Sequence, residues 1–113
     1  MFSDKVRRRL QDIVDNANWI EADLEGFDVD RFLANRTVAD AVERCIERIA
    51  EAIVQLGPET TLSVGMLVPW HGVRNLGNRL RREYGRIDRR VIFDTARNDI
   101  PPLREAAAKA LEL

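Results

Sequence analysis

Thr37-Val38-Ala39-Asp40-Ala41-Val42-Glu43-Arg44-Cys45-Ile46-Glu47-Arg48-Ile49-Ala50-Glu51-Ala52-Ile53-Val54-Gln55-Leu56-Gly57-Pro58 is the stretch that decides the fold class. Apolar residues recur at Val38, Val42, Cys45, Ile49, Ile53 and Leu56, in steps of three or four, which is one stripe of an α-helix. Ala41, Ile46, Ala50 and Val54 widen the stripe. So broad an apolar face predicts packing on two sides, as in a bundle or a dimer. Thr37 with Asp40 three residues on approximates a capping box and predicts the helix start. Gly57-Pro58 predicts its end, because glycine accepts a left-handed cap and proline cannot continue the ladder. Cys45 lies on the stripe and reads as a buried small hydrophobe, not a reactive thiol.

The same period appears on both sides of this helix. Towards the N-terminus, Val6, Leu10, Ile13, Ala17, Ile20 and Leu24 form a second stripe, with Ser3 as its cap and Gly26 as its stop. Asp28 predicts a short helix through Phe32 and Leu33. Towards the C-terminus, residues 58–68 read as a loop, with Leu62, Val64, Met66 and Leu67 tucked against the body. Pro69 suits the first turn of a helix running from Trp70 to Tyr84, which Gly85 breaks. Asp88 predicts the cap of a helix carrying Val91, Ile92 and Phe93, and Pro101-Pro102 open a last helix through Leu103, Ala107 and Leu111. No alternating strand pattern, repeat or low-complexity linker interrupts the series. The expectation is a single all-α domain over 1–113, an antiparallel four-helix-type bundle with extra short helices.

Composition narrows the function classes. With 45% hydrophobic and 33% charged residues, the chain is too apolar for disorder. A formal net charge of −1 excludes a polycation, so any nucleic-acid affinity has to come from a local patch. One cysteine excludes an internal disulfide and points to a reducing, cytoplasmic compartment. No apolar run approaches the ~18 residues of a membrane span, and the N-terminus lacks a signal-peptide core. His71 and Cys45 do not make a metal site, which needs three or four ligands. Neither a metal nor a cofactor is expected.

The helix from Trp70 to Tyr84 carries the functional information. At about 100° per residue, Val73, Leu76, Gly77, Leu80 and Tyr84 share one side, and His71, Asn75, Asn78 and Arg82 the other. Gly77 on the apolar side predicts close approach of another backbone. Arg74, Arg79, Arg81, Arg82, Arg86, Arg89 and Arg90 crowd the region against only Glu83 and Asp88, whereas Glu21, Asp23, Glu25, Asp28 and Asp30 make the end of the first helix acidic. Guanidinium forks match phosphate oxygens in two-point contacts. Such a patch suits an RNA backbone, an acidic partner surface or the acidic segment of a second copy. His71 is either a general base near neutral pH or a surface or capping group; no partner residue identifies itself.

The run Pro69-Trp70-His71-Gly72-Val73-Arg74-Asn75-Leu76-Gly77-Asn78-Arg79-Leu80-Arg81-Arg82-Glu83-Tyr84 resembles the signature helix of HepT-like HEPN proteins: Pro-Trp, an apolar stretch, then Arg-Asn-x-x-x-His-x-Tyr. Pro69, Trp70, Asn78, Arg79, Leu80 and Tyr84 match without a gap. Downstream, Gly85-Arg86-Ile87-Asp88 and Asn98-Asp99-Ile100-Pro101-Pro102-Leu103 fit the pattern, and upstream Ile49-Ala50-Glu51-Ala52 resembles the family's Ile-Gly-Glu-Ala. The resemblance implies a metal-independent RNA endonuclease acting as the toxin of a toxin–antitoxin pair. It implies a homodimer, because a spacing of five sets two residues about 140° apart on one helix and the site is composite. It also implies an MNT-type nucleotidyltransferase antitoxin that adenylylates the motif tyrosine, here Tyr84. Tyr84 also falls on the apolar stripe, where a tyrosine serves as a core or interface residue.

The departures fall on the chemistry. Gly77 stands where the family has its catalytic arginine, and Arg82 where it has its histidine. A guanidinium stays charged at physiological pH and cannot shuttle a proton. No catalytic pair is therefore intact among motif positions Gly77, Asn78 and Arg82, and the RNase activity is expected to be weak or lost. Arg74, Arg79, Arg82, Arg86 and His71 are the expected RNA- or phosphate-binding residues. The alternative is a non-catalytic dimeric helical module that binds a nucleotidyltransferase or nucleic acid.

Overall fold

The longest helix of the computed structural model, which describes residues 2–83 and 85–112, runs Arg36–Leu56 (α3). Val42, Cys45, Ile49, Ile53 and Leu56 are buried along it, as are Ile46 and Ala50 of the widened face, while Val54 is half-buried and Ala41 exposed. The breadth has the expected cause: α3 packs on two neighbours, α1 (Asp4–Asp23) and α5 (Trp70–Arg82). A last helix, α7 (Ile100–Leu111), lies against α1 and completes the bundle of longer helices. Shorter helices, α2 (Val29–Ala34), α4 (Pro58–Ser63) and α6 (Arg89–Asp94), fill the connections. No strand occurs among the described residues.

The helix starts are chemically explicit. The Ser3 hydroxyl accepts from the Val6 N–H at 3.2 Å, and the Asp28 carboxylate from the Arg31 N–H at 2.8 Å. Asp88 accepts from the Arg90 N–H at 2.9 Å. The start of α3 differs from the expectation at Thr37. Asn35 is the cap, its Oδ1 accepting from the Val38 N–H at 3.0 Å, and Thr37 lies exposed inside the first turn. Asn and Thr are both competent caps, and Asn35 wins because it also closes α2, its own N–H donating to Phe32.

Residues 58–68 are not simply a loop. Pro58 takes the first position of α4, where its lacking N–H costs nothing, and the Thr61 hydroxyl returns a bond to the Gly57 carbonyl at 2.7 Å. Met66 is buried as expected and Val64 half-buried, but Leu62 (68% exposed) and Leu67 (87%) point outwards. Helix α5 ends at Arg82, short of the expected Tyr84, which lies outside the described residues. Between α6 and α7, Thr95–Asp99 form a π-helical turn, with the Ile100 N–H donating to Thr95 five residues back. Pro101 and Pro102 lack the N–H groups that would hold a tighter ladder here, so the wider turn is accommodated.

Arginines fasten the connections. Arg31 donates to the Gly26 carbonyl at 2.8 Å, Arg89 to Leu33 at 2.8 Å, and Arg97 to Leu24 and Phe27. Phe32, fully buried, meets the Phe93 ring at 5.2 Å. Glu43 is a buried acid, 4% exposed, with Oε1 unpartnered. Burial first, then the neighbouring Asp40, raises its pKa, against the Gly85 N–H and Arg89. Burial likewise raises the Cys45 thiol, leaving it protonated and unreactive.

Two outcomes follow. Asn35→Ala should cost about 1 kcal/mol in urea unfolding, whereas Thr37→Ala changes little. For Glu43, the folded state holds its proton more tightly than the unfolded chain, so its contribution to stability is greatest below the unfolded pKa and is lost as pH rises through the folded one. Glu43→Gln should therefore raise the urea midpoint at pH 7, and the gain should shrink as the pH is lowered towards the carboxylate range.

Candidate nucleic-acid interface

Helix α5 begins on Trp70, with Pro69 as the extended residue before it and the Val73 N–H bonded to the Pro69 carbonyl at 3.0 Å. The Trp70 indole N–H donates to the Ile53 carbonyl at 3.0 Å, which ties the start of α5 to the last turn of α3. Farther along, Gly77 is buried against α3. A Cβ placed there would lie 3.3 Å from the Ala50 Cβ, tighter than ordinary van der Waals contact. The close helix approach expected of Gly77 is thus present, and it leaves little room for a side chain.

The two faces of α5 separate as its angles predict. Gly77 and Leu80 are buried, and Val73 and Leu76 half-buried. His71, Arg74, Asn75, Arg79 and Arg82 are exposed, Asn78 is half-buried, and Arg86 is exposed just beyond the helix. Trp70 anchors a small cluster: His71 meets its ring edge-on at 5.2 Å, and the Arg74 guanidinium lies 5.6 Å from the ring centre.

The arginines are not equivalent. Arg79 pairs with Glu83 at 3.0 Å, and Arg81 with Glu51 of α3 at 3.2 Å while also donating to Asn78 Oδ1. Arg89 is spent on Leu33. Among the described residues, Arg74, Arg82, Arg86 and Arg90 have no carboxylate partner, so their charge is available to a phosphate. His71 and Arg82 sit eleven residues apart on one helix, about 16 Å along its axis, and do not converge within the chain. The pairings of Arg79 and Arg81 could not be read from composition; the only hint was the spacing Arg79 to Glu83, four apart on a helix.

An apolar groove of about 570 Å³ flanks the other edge of α5, lined by Ile49 and Ile53 of α3, Val73 and Leu76 of α5, and Leu103 of α7, with Leu67 on its rim. No group of three or more His, Cys, Asp or Glu side chains is placed to hold a metal ion among the described residues. Nor, among these residues, is any helix long and apolar enough to cross a membrane.

Residues 4–110 match the family described as Ribonuclease HepT-like. A candidate RNase of Methanocaldococcus jannaschii is 33% identical over 96 residues, which is 85% of this chain and 78% of that protein. A candidate RNase of Caldanaerobacter subterraneus is 24% identical, covering 94% of each chain. A candidate ribonuclease HepT of Thermococcus cleftensis is 28% identical over 84% of this chain and 86% of its own length. No solved structure matches the chain at a significant level. With its match spanning all but the ends of the chain and its exposed basic helix in the position of the signature motif, the protein belongs to the HepT-like ribonuclease family.

Proposed function

We propose that this chain is the toxin-type member of a HepT–nucleotidyltransferase pair, a homodimeric RNA-binding protein whose own cleavage centre is weak or lost. The observation that carries the reading is the pair of motif positions on α5. Gly77 is pressed against Ala50 and has no side chain to stabilise a phosphate, and exposed Arg82 is a fixed cation where a proton carrier is required. Phosphate binding survives this loss, because Arg74, Arg82 and Arg86 remain exposed without carboxylate partners among the described residues. The apolar groove beside α5, with Leu67 at its rim, supports self-association. A module that only binds a nucleotidyltransferase would keep the same surfaces, and the assay below separates it from an active nuclease.

RNA cleavage by the wild type should be compared with Gly77→Arg/Arg82→His carrying Ala50→Gly, which removes the methyl that a side chain at 77 would meet. The triple variant should cut at least about 100-fold faster than the wild type, the usual scale of general acid–base catalysis. Cleavage by the wild type that His71→Ala abolishes would instead locate the chemistry at His71. For the partner, incubation with a small MNT-type nucleotidyltransferase and ATP should add the mass of one adenylate, and Tyr84→Phe should prevent it. An unmodified wild-type chain would remove Tyr84 as the acceptor.

A further inference from the structure

A second groove, of about 780 Å³, runs along the seam of α1 and α3 and reaches Arg81 at its edge. Three of its arginines are already paired: Arg9 with Asp12 at 3.7 Å, Arg44 with Glu47 at 3.0 Å, and Arg81 with Glu51 at 3.2 Å. Arg48, on the α3 side, is exposed; it reaches the Cys45 thiol one turn back but has no carboxylate partner among the described residues, so its charge is not neutralised. A seam of paired charges would be an ordinary solvated surface, but two of its other residues have no such explanation.

The first is Trp19, which lines the groove and is 53% exposed. It lies off the apolar stripe of α1, and a large indole left in water without a packing role marks a binding surface. The second is Asn16, only 5% exposed and on the same face of α1 one turn away. Its amide N–H donates to the Asp12 carbonyl at 2.8 Å, but its Oδ1 accepts from no group. A buried acceptor without a donor is costly, so Asn16, which borders the groove, is short of one hydrogen-bond donor.

A flat aromatic surface, a guanidinium with no carboxylate to neutralise it and an acceptor awaiting a donor together describe what would complete them. We propose that the α1–α3 groove binds a nucleoside monophosphate unit, its base stacked on Trp19, a donor on the base edge reaching Asn16 Oδ1, and its phosphate on Arg48. Stacking on an aromatic tolerates any base, while the Asn16 acceptor favours one that presents an amino group. The unit is either a free nucleotide or one nucleotide of an RNA strand. The strand form rests on the RNA reading of α5; the free form does not. Arg81, which belongs to α5 and borders this groove, makes the two surfaces adjacent.

The test follows tryptophan emission of the full-length protein titrated with adenosine 5′-monophosphate, with inorganic phosphate, and with single-stranded oligoadenylate. The monophosphate should quench saturably, Trp19→Phe should abolish that response while Trp70 still emits, and Arg48→Ala should weaken binding about tenfold. Asn16→Leu should weaken the monophosphate but not phosphate alone. Oligoadenylate binding tighter than the monophosphate, with the advantage lost in Arg74→Ala/Arg82→Ala, identifies a strand as the source; equal affinities identify the free nucleotide. No response to either nucleotide ligand, or a response unchanged in Trp19→Phe and Arg48→Ala, overturns the site. If oligoadenylate still binds through Arg74 and Arg82 in that case, the groove fails and the RNA reading stands.

Discussion

Everything on the functional face depends on how closely α5 lies against α3. Gly77 meets Ala50 with no intervening side chain, and the Trp70 indole pins the helix start to the Ile53 carbonyl. These two contacts fix both the distance and the rotation of α5. The rotation then decides which residues reach solvent: His71, Arg74, Asn75 and Arg82 outwards, Leu80 inwards. Packing and chemistry are therefore coupled at one position. The residue that lets the helices meet is also the one that carries no group for phosphate stabilisation.

The electrostatics show why a count of arginines misleads. Carbonyls at helix ends have no partner within the helix and carry the negative end of its dipole. Arg31 and Arg97 supply donors around the end of α1, and Arg89 does so at α2. Arg79 and Arg81 are held by Glu83 and Glu51. What stays without a carboxylate in this region, among the described residues, is a smaller set: Arg74 and Arg82 on α5, Arg86 and Arg90 beyond it, and Arg48 in the neighbouring groove. A near-neutral chain can thus carry a cationic face without being basic overall.

The sequence makes the long helices legible, because α1 and α3 each bury a continuous stripe at the helical period. Ser3, Asp28 and Asp88 also act as the caps their positions predict. The α3 start is ambiguous because Asn35 and Thr37 are both competent caps, and the departures between the long helices have another cause: short segments carry too few apolar positions to show a period. Helix α4 buries a threonine, not a hydrophobe, so only Pro58 announced it. Leu62 and Leu67 look like core residues in composition but not in orientation, which a six-residue helix leaves undetermined. In the site, the motif positions were readable by alignment of residue types, and the separation of α5 into faces followed from its angles. The ion pair between Arg81 and Glu51 joins residues thirty apart in the chain and has no local signature. Trp19 breaks step with the apolar stripe of its own helix, and that offset is the sequence sign of an indole left in water.

The π-helical turn at Thr95–Asp99 holds one more residue than an α-turn would. That surplus acts as a phase shifter. It offsets the azimuth of α7 by about 100° from the heading α6 would otherwise impose. Only with that offset do Leu103, Ala107 and Ala110 become inward-facing. Deleting a single residue here would make a more regular rod, yet it would swing the wrong side of the terminal helix towards α1. Local irregularity is what keeps the bundle in register.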